Sequence, residues 1–418
     1  MKVRIGIDVG GTFTDAVAID DTTFELVGSV KVPTTHTARE GVAAGIIESL
    51  HRLMDSAGLS ADQVVFIAHG TTQATNALLE GDVSPVGIIT LGSGIEGVKA
   101  RADTQMGVLE LAPGKTLKTS NEYIDRSAAT DLPEAIDAAI ERLCSAGASS
   151  IVAAEAFSVD DGSGEGLVTE RGNRAGLPST ATNEISKLYG LKTRTRTAVV
   201  NASIMPRMLQ TAAMTESAIK AASITSPLMV MRCDGGVMTV DEVRRRPILT
   251  ILSGPAAGVA GALMYERLTD GLFFEVGGTS TDISCVKDGR VQVAYSQVGG
   301  HKTYLSSLDV RTVGVGGGSM VEVSGGRPMA TGPRSAHIAG LEYEVYSPPL
   351  TDPVLIEVRP LAGDPAYAAV RGADGSRRAL TLAGAANIAG LVPASDYAHG
   401  DAEAARTAWR PLASSMGV

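Results

Sequence analysis

The sequence predicts an α/β fold, because apolar runs of strand length alternate along the chain with segments of helical periodicity. A short strand–turn–strand unit occurs twice within this pattern. The first copy reads IDVGGTFTD at residues 7–15, and the second reads FEVGGTSTD at residues 274–282. Both copies contain an acidic residue, valine, Gly-Gly-Thr and Thr-Asp at equal spacing, and such an internal repeat constrains the interpretation of the whole chain.

Each copy predicts a β-hairpin whose turn binds an anion. Apolar residues at 3–7 and 272–274 predict buried first strands, and residues 16–19 and 283–286 predict the returning strands. Gly-Gly permits a tight turn with backbone N–H groups exposed to a phosphate, because glycine adopts positive φ without steric cost. The acidic residues are of the kind that hold Mg²⁺ beside phosphates. Two such hairpins facing each other across a cleft would clamp a phosphate chain, with further hydroxyl donors from Thr12, Thr14, Thr279, Ser280 and Thr281.

Composition and charge exclude several classes of protein. A chain of 418 residues predicts two or three domains of about 150 residues each. The net charge of −10 argues against general binding to nucleic acid or to acidic membranes, since both require basic surfaces. The three cysteines, Cys144, Cys233 and Cys285, form no CxxC pair, which indicates a reducing compartment and neither disulfides nor a zinc site. With no leader pattern and no long apolar run, we expect a soluble, cytoplasmic protein.

The first half of the chain alternates helices and strands after the first hairpin. The periodicity predicts a helix at 38–58, strands at 64–68, 86–90 and 150–157, and a further helix at 131–146. Residues 160–176 are rich in glycine and aspartate and predict a surface segment.

The segment that follows the strand at 64–68 reads HGTTQATNA and predicts a turn opening a helix. Helix N-termini carry free N–H groups and positive potential, which suit an anion or a developing oxyanion. His69, Thr71, Thr72 and Asn76 are therefore candidate substrate-binding residues. A capped helix packed on a sheet explains the same residues, and the sequence alone does not decide between the two interpretations.

The second half repeats the alternation. It predicts a helix at 203–222, strands at 228–232 and 248–252, and a helix that begins at Ser253-Gly254-Pro255, with serine as cap and proline in the first turn. Ser253 and Gly254 are predicted to line a cleft. The basic run at 244–246 is interpreted as a solvated helix end.

A glycine run follows the strand that ends near Val313. Gly314 and Gly316–Gly318 place four glycines within five residues, just before the predicted strand at 320–323. The run is able to cradle a nucleotide, with Gly316 and Gly317 as candidate contacts, or to form a tight bend. Both interpretations stay open.

These motifs resemble those of the hydantoinase A / 5-oxoprolinase / acetone carboxylase family, which belongs to the actin–hexokinase–Hsp70 superfamily. The resemblance runs from residue 1 to near residue 418. The segments that carry it are GIDVGGTFTD (6–15), HGTTQATNALLE (69–80), LSGPAAGV (252–259), VGGTSTDIS (276–284) and LDVRTVGVGGGS (308–319).

The resemblance implies two actin-like (ribonuclease H-like) domains that flank an ATP cleft. We expect domains at 1–190 and 191–345 and a mixed, helical segment at 346–418, in which 402–413 forms a helix. By analogy, Asp8 and Asp282 serve a magnesium ion, and Asp282 or Asp15 orients the attacking group or a metal-bound water. The implied phosphate loops consist of Gly10, Gly11, Thr12 and Thr14 and of Gly277, Gly278, Thr279, Ser280 and Thr281.

The resemblance also implies an ATP-dependent reaction at a carbonyl group. An amide or lactam oxygen, or a ketone enolate, takes the γ-phosphoryl group of ATP, and a hydantoinase B-like partner completes hydrolysis or carboxylation. We expect an amidohydrolase subunit that acts on a cyclic amide. The alternatives are a ketone carboxylase subunit and, in another class, an actin-like ATP switch that remodels a partner protein.

The sequence departs from the family pattern at two places. Glu275 stands where such loops more often carry aspartate, and the extra methylene changes the reach of the carboxylate toward a metal. By the resemblance, family members continue past the equivalent of residue 418 to a further glycine-rich turn that binds adenosine, so the C-terminal part of the family fold is expected to be missing. We therefore expect a split subunit, a truncated form or a member that binds adenosine otherwise, with weak ATP binding when alone and, for a split subunit, a partner chain that supplies the adenosine-binding region.

Overall fold

The computed structural model describes residues 1–10, 13–34, 42–112, 114–266, 269–337, 339–348, 350–361, 363–389, 391 and 409–410. Gly11, Thr12 and most of the predicted helix at 402–413 lie outside these residues. The chain forms two compact units, Met1–Arg267 with Val291–Asp309, and Leu268–Arg290 with Val310–Val418. This division differs from the predicted ranges, because residues 191–267 belong to the same unit as the N-terminal region.

The first unit contains a six-stranded sheet. Its elements are β1 (Val3–Val9), β2 (Phe13–Asp20), β3 (Leu26–Pro33), α1 (Val42–Ala57), β4 (Val64–Thr71), α2 (Gln73–Glu80), with β10 (Leu228–Met231) and β11 (Val237–Thr239) much later. The strand order is β11-β10-β4-β1-β2-β3. Strands β1 to β3 form an antiparallel meander, while β4 pairs in parallel with β1 and β10 pairs in parallel with β4. This mixed sheet confirms the predicted α/β fold.

The first unit contains a second, five-stranded sheet. The elements of this region are β5 (Val86–Gly92), α3 (Gly94–Thr104), β6 (Val108–Ala112), β7 (Lys115–Asp125), α4 (Leu132–Ser145), β8 (Ser150–Glu155), α5 (Ser163–Arg174), β9 (Ser179–Ala181) and α6 (Thr182–Ile185). The strand order is β6-β7-β5-β8-β9, with β7, β5, β8 and β9 parallel. Every residue of β5 is buried, as expected for a parallel strand covered on both faces.

The remaining elements of the first unit are α7 (Leu191–Ala221), α8 (Val240–Arg245), α9 (Ser253–Glu266), β15 (Val293–Val298) and β16 (His301–Leu308). The basic run at 244–246 ends α8, and its arginines pair with nearby carboxylates, as predicted for a solvated helix end. No helix among the described residues combines the length and the apolar character needed to cross a bilayer.

The core beneath the first hairpin follows from simple periodicity. Ile5, Ile7 and Val9 alternate along β1 and join one hydrophobic cluster with Ile46 and Leu50 of α1. Helix α1 ends at Ala57, and Gly58 follows with φ +61°, the left-handed conformation that commonly ends a helix. The predicted helix is therefore confirmed, with its first described residue at Val42.

Most of residues 160–176 are exposed or half-buried, as predicted for a surface segment, but residues 163–174 are helical, which was not predicted. They form α5, which packs on β8 and buries Glu165 completely. Gly164 and Gly172 misled the sequence interpretation. A Cβ at either position would collide with Glu155 or with Ser179, so these glycines allow a close helix–sheet approach instead of marking a loop.

The structure confirms the helix predicted at 203–222 but gives it an earlier start, and it shows that the strand predicted at 248–252 was wrong. The helix predicted at 203–222 begins at Leu191, because its polar first half is buried and hydrogen-bonded. Asn201 donates to Thr180 Oγ1 and accepts from the backbone N–H of Ile248, at 3.0 Å each. The strand predicted at 248–252 is a 3-10 turn, Pro247–Thr250, whose first N–H groups this asparagine helps to satisfy.

The second unit contains two sheets. The first is a four-stranded sheet of β12 (Gly271–Val276), β13 (Thr281–Lys287), β14 (Arg290–Val291) and β17 (Val310–Val313), in which β12 and β17 both pair antiparallel with β13. The other sheet is formed by β18 (Ser319–Ser324), β19 (Arg327–Ser335), β20 (Glu342–Tyr343), β21 (Val354–Val358), β22 (Tyr367–Arg371) and β23 (Arg377–Ala379), followed by α10 (Leu382–Ile388).

Glu165→Gln is expected to destabilise the first unit. The carboxylate of Glu165 accepts hydrogen bonds from the N–H groups of Glu155 and Asn183 and from two hydroxyl groups. An amide offers only one acceptor oxygen, so we expect the free energy of unfolding in urea to fall by about 1–3 kcal/mol. Glu170→Gln on the same helix is the control, because its exposed ion pair with Arg174 contributes only about 0–1 kcal/mol. Equal effects of the two substitutions would contradict this account.

Candidate functional site

The first hairpin places two aspartates side by side next to its turn. Asp8 of β1 lies directly opposite Asp15 of β2 in the antiparallel register. The turn is closed by the N–H of Gly10, which donates to the carbonyl of Phe13 at 3.0 Å. On its other side, Asp8 pairs with Gly70 of β4. Three strands therefore determine the position of this carboxylate.

The carboxylate of Asp8 is the least compensated charge of the site. Its Oδ1 is buried and has no hydrogen-bond partner among the described residues. Gly70 makes room for it, because a Cβ there would lie 3.0 Å from Oδ1, and a Cβ at Gly254 would lie 3.8 Å away. Burial raises the pKa of Asp8, the charge of Asp15 raises it further, and Lys31 opposes the shift. A buried acceptor oxygen of this kind suits a cation or a hydrogen-bond donor.

Lys31 is a residue of this site that the sequence did not single out. It lies opposite Asp15 in the register of β2 and β3, and its Nζ is 2.7 Å from the Asp15 carboxylate. Its ammonium group also lies 4.9 Å from the centre of the Phe13 ring. The only signal for Lys31 in the sequence was a lysine in the strand that follows Asp15. It points to the site only once the register of β2 and β3 is known.

The segment after β4 joins the first turn of α2 to the end of β1. Thr72 donates from its hydroxyl to the carbonyl of Val9 at 3.2 Å, and the side chain of Asn76 donates to that hydroxyl at 3.4 Å. The hydroxyl of Ser253 donates to the carbonyl of Thr71 at 3.1 Å. This contact holds the start of α9, and thus Gly254, beside the Asp8 carboxylate. Asp8, Gly70, Thr72 and Gly254 are therefore brought together within one unit.

His69 and Thr71 lie on the opposite face of β4, because side chains alternate along a strand. Both residues line a largely apolar cavity of about 20 Å³, together with Met208 and Val230. His69 is only 3% exposed, and burial lowers its pKa to about 4, so its imidazole is neutral at neutral pH. The structure thus separates His69 and Thr71 from the Asp8 carboxylate.

Thr14 also lies on the face of the sheet opposite to Asp8 and Asp15, because side chains alternate along β2. It is fully buried, and its hydroxyl lies 3.1 Å from the hydroxyl of Thr34. Thr34 in turn donates to the carbonyl of Gly10 at 2.9 Å. In this arrangement Thr14 supports the turn from within the unit.

The second hairpin repeats this geometry in the second unit. The N–H of Gly277 donates to the carbonyl of Ser280 at 2.9 Å, as Gly10 does to Phe13. Glu275 and Asp282 occupy the opposed positions of Asp8 and Asp15. Burial raises the pKa of Asp282, and the hydroxyl of Thr312, which donates to its carboxylate, opposes the shift.

The glycine run packs on the backbone of the second turn. Gly317 and Gly318 donate from their N–H groups to the carbonyls of Gly277 and Gly278, at 2.9 and 2.7 Å. The N–H of Gly316 donates to Ser319 Oγ at 2.9 Å. A Cβ at Gly316 would overlap the carbonyl of Gly277, so the bend needs glycine there. The N–H groups of Gly316 and Gly317 are engaged within the protein, and contact with a nucleotide stays a prediction for both residues.

The chain matches known proteins along almost all of its length. Residues 4–176 match the hydantoinase/oxoprolinase N-terminal region, and residues 194–418 match the hydantoinase/oxoprolinase family. The caprolactamase subunit alpha of Pseudomonas jessenii is 28% identical over 361 residues, which cover 80% of this chain and 51% of that protein. The acetophenone carboxylase gamma subunit of Aromatoleum aromaticum is 26% identical over 371 residues, covering 79% and 49%.

The fold is also that of a solved relative. The nucleotide-free structure of acetone carboxylase, from work on ATP-dependent acetone carboxylation, matches all of this chain with a TM-score of 0.67 at 20% identity. It covers 59% of that chain. The 418 residues therefore span about half the length of the two relatives matched by sequence.

Asp8→Asn is expected to stabilise the metal-free protein at neutral pH. Folding raises the pKa of Asp8. At pH values between the pKa of the unfolded state and that of the folded state, the folded protein therefore binds more protons than the unfolded protein. Its stability falls as pH rises through this range. Removing the buried charge should therefore raise the free energy of unfolding by about 1–3 kcal/mol at neutral pH. The gain should shrink as pH falls toward the usual carboxyl range, which thermal unfolding at several pH values measures.

The matched control is Asp21→Asn, since Asp21 is a surface carboxylate paired with Arg4 near the same hairpin. It should show no such gain at neutral pH. An Asp8→Asn variant that is less stable than the natural protein at neutral pH would contradict the assignment of an uncompensated charge.

Gly316→Ala is expected to distort the second hairpin. The added methyl group must displace the backbone of Gly277 and Ser280, and overpacking of this kind costs about 1–3 kcal/mol. We expect faster amide hydrogen exchange in β12 and β13. Gly271→Ala is the control, because no atom lies within 4 Å of a Cβ there. If amide exchange in β12 and β13 is unchanged in Gly316→Ala, the glycine run does not pack tightly on the turn of the second hairpin.

Proposed function

This chain belongs to the hydantoinase/oxoprolinase family, and we propose that it is a subunit of an ATP-dependent amidohydrolase acting on a cyclic amide. In the proposed reaction the carbonyl oxygen of the amide attacks the γ-phosphorus of ATP and ADP leaves. Water then adds to the activated carbonyl carbon, the ring C–N bond breaks, and phosphate is released. Phosphorylation is needed because an unstrained amide is a poor electrophile.

The observation that carries the proposal is the buried Oδ1 of Asp8 at the end of the first hairpin. A carboxylate oxygen without a protein partner, bordered by two glycines, fits a magnesium ion. A bound Mg²⁺ neutralises charge on the transferring phosphoryl group. The described residues contain no cluster of three ligating side chains, so water and phosphate oxygens would complete the coordination. We assign Asp8 to this role in the first hairpin and Asp282 in the second.

The protein's own residues position the reactants, which is most of what phosphoryl transfer requires. Gly70 and Gly254 keep the approach to Asp8 free of side chains. We propose that Asp15, which pairs with Lys31, accepts a proton from an attacking water. The proposed nucleotide-binding residues are Gly10, Gly11, Thr12 and Thr14 of the first hairpin, Gly277, Gly278, Thr279, Ser280 and Thr281 of the second, and Gly316 and Gly317.

The positions of the four candidate substrate-binding residues relative to β4 support two different proposed roles. Thr72 and Asn76 lie on the Asp8 side of β4, so we propose that they contact the cyclic amide directly. His69 and Thr71 are buried on the other face and act on the site through the position of β4. A neutral, buried imidazole supports this indirect role for His69.

A second candidate function is a subunit of a ketone carboxylase. The relative that favours it is the acetophenone carboxylase gamma subunit, which matches nearly the same share of this chain as the caprolactamase subunit. Both relatives are subunits, so we propose a hydantoinase B-like partner and a polypeptide that supplies an adenosine-binding region. An actin-like ATP switch differs from both, since its ATPase would respond to a protein and not to a small molecule.

The test is phosphate release by the assembled enzyme with ATP and Mg²⁺. We expect release to depend on a lactam or hydantoin, and Asp8→Asn to lower it by about 100-fold or more, as for loss of a group that stabilises transition-state charge. Asp21→Asn should retain activity. Dependence on a ketone with bicarbonate would instead support the carboxylase. ATPase activity that responds only to a partner protein, or that survives Asp8→Asn, would refute the proposal.

A further inference from the structure

Three charged side chains form a row across β1, β2 and β3 of the first unit. Asp8 lies opposite Asp15, and Asp15 lies opposite Lys31. Opposed residues of antiparallel strands share one face of a sheet, so all three side chains lie on the same face. We call these three residues the charge row. When a cation binds there, both carboxylates are ionised, and the row then carries two negative charges and one positive charge.

Two contacts hold the ammonium group of Lys31 in this row. Its Nζ lies 2.7 and 2.8 Å from the two carboxylate oxygens of Asp15. It also lies 4.9 Å from the centre of the Phe13 ring, whose π face attracts a cation. The side chain of Lys31 is 58% exposed, and an ion pair as exposed as this contributes little to folding stability. Its effect is therefore to be sought in the charge of this face.

The second hairpin shows that the repeated fold does not require this lysine. Glu275 lies opposite Asp282, and Asp282 lies opposite Thr312 of β17, so Thr312 occupies the position that corresponds to Lys31. The hydroxyl of Thr312 donates to the Asp282 carboxylate but brings no full charge. Compensation of the acidic pair by a full positive charge is thus a feature of the first hairpin.

The positive charge of Lys31 opposes the binding of a divalent cation at Asp8. Neighbouring strands lie about 4.8 Å apart, so Lys31 lies about 10 Å from Asp8 along the row. Its field reaches the Asp8 carboxyl, because Lys31 lowers the pKa that burial and Asp15 raise. At this separation, Coulomb's law predicts that one positive charge weakens the affinity for a divalent cation by about tenfold or more.

We propose that Lys31 controls the metal affinity of the first hairpin, and that its charge keeps the binding of a free divalent cation by Asp8 and Asp15 weak. This inference rests on the proposed role of Asp8 as a ligand of Mg²⁺. The cation in question is a hard one that prefers oxygen ligands. Lys31 is a positioning residue in this account, because it acts on the cation through the two carboxylates.

The test is a titration of the purified, metal-free protein with Mn²⁺ in the absence of nucleotide. Mn²⁺ accepts the same oxygen ligands as Mg²⁺, and electron paramagnetic resonance measures its free concentration. Lys31→Met removes the charge and keeps a side chain of similar length. We expect this variant to bind one Mn²⁺ per chain about tenfold or more tightly than the natural protein does at the same site. Identical titration curves for the two proteins would overturn the proposal.

Two double variants assign the Mn²⁺ to the charge row. Adding Asp8→Asn to Lys31→Met should abolish the tight binding, because the buried acceptor oxygen loses its charge. Adding Asp15→Asn should return the affinity to about that of the natural protein, because the row again carries a single net negative charge. Tight binding that survives Asp8→Asn overturns the proposal, since the cation then lies elsewhere.

Two single variants separate the charge of Lys31 from general effects. Lys31→Arg keeps the charge and should titrate like the natural protein, so that loss of a merely structural contact is distinguished. Lys2→Met changes the total charge equally at the far end of β1, where the ammonium of Lys2 donates to the carbonyl of Asp62. It should leave the titration unchanged, and a gain equal to that of Lys31→Met would contradict the proposal.

Thermal unfolding provides a second measurement on the same proteins. A ligand that binds only the folded state raises its stability, and a tighter ligand raises it further. Mn²⁺ should therefore raise the Tm of Lys31→Met more than that of the natural protein, and equal increases would count against the proposal. Both measurements use no ATP, substrate or partner. Phosphate release that depends on a lactam, with no effect of Lys31→Met on Mn²⁺, overturns this inference alone, whereas the reverse result overturns only the proposed reaction.

Discussion

A carboxylate that the fold removes from water without giving it a partner is the constraint on which the candidate site depends. The backbone of Asp8 pairs with β2 on one side and with β4 on the other, so its Cα atom stays opposite that of Asp15. Burial and the neighbouring charge both disfavour its ionised form. This unfavourable electrostatic position makes sense for a site whose ligand is a cation, because the ligand then removes the penalty.

Several glycines of this structure lie where a Cβ atom would approach neighbouring atoms. Gly70 and Gly254 leave space beside Asp8, and Gly164 brings α5 close to the second sheet of the same unit. In the second unit, Gly316 allows two backbone segments to approach within hydrogen-bonding distance. At Gly316 a methyl group would meet the backbone carbonyl of Gly277, so packing requires glycine at that position.

The two hairpins show which structural features are determined by local sequence and which are not. Their shared GGT and TD residues produce the same register and the same hydrogen bond across the turn. Their surroundings differ completely, because β1 has a helix and a parallel strand against it and β12 has neither among the described residues. Lys31 faces Asp15 in one unit, whereas Thr312 faces Asp282 in the other, so the two acidic pairs also differ electrostatically.

The sequence by itself determined the family, the α/β class, both hairpins and the helix that ends at Gly58, because these follow from turn chemistry and from periodicity within short windows. Only the tertiary structure decided that residues 163–174 are helical and that α7 begins at Leu191, since buried polar and glycine-rich segments lack an apolar period. It also placed His69 and Asp8 on different sides of their sheet and revealed Lys31 beside Asp15. Those outcomes depend on strand partners far away in sequence, whose register and burial no local pattern encodes.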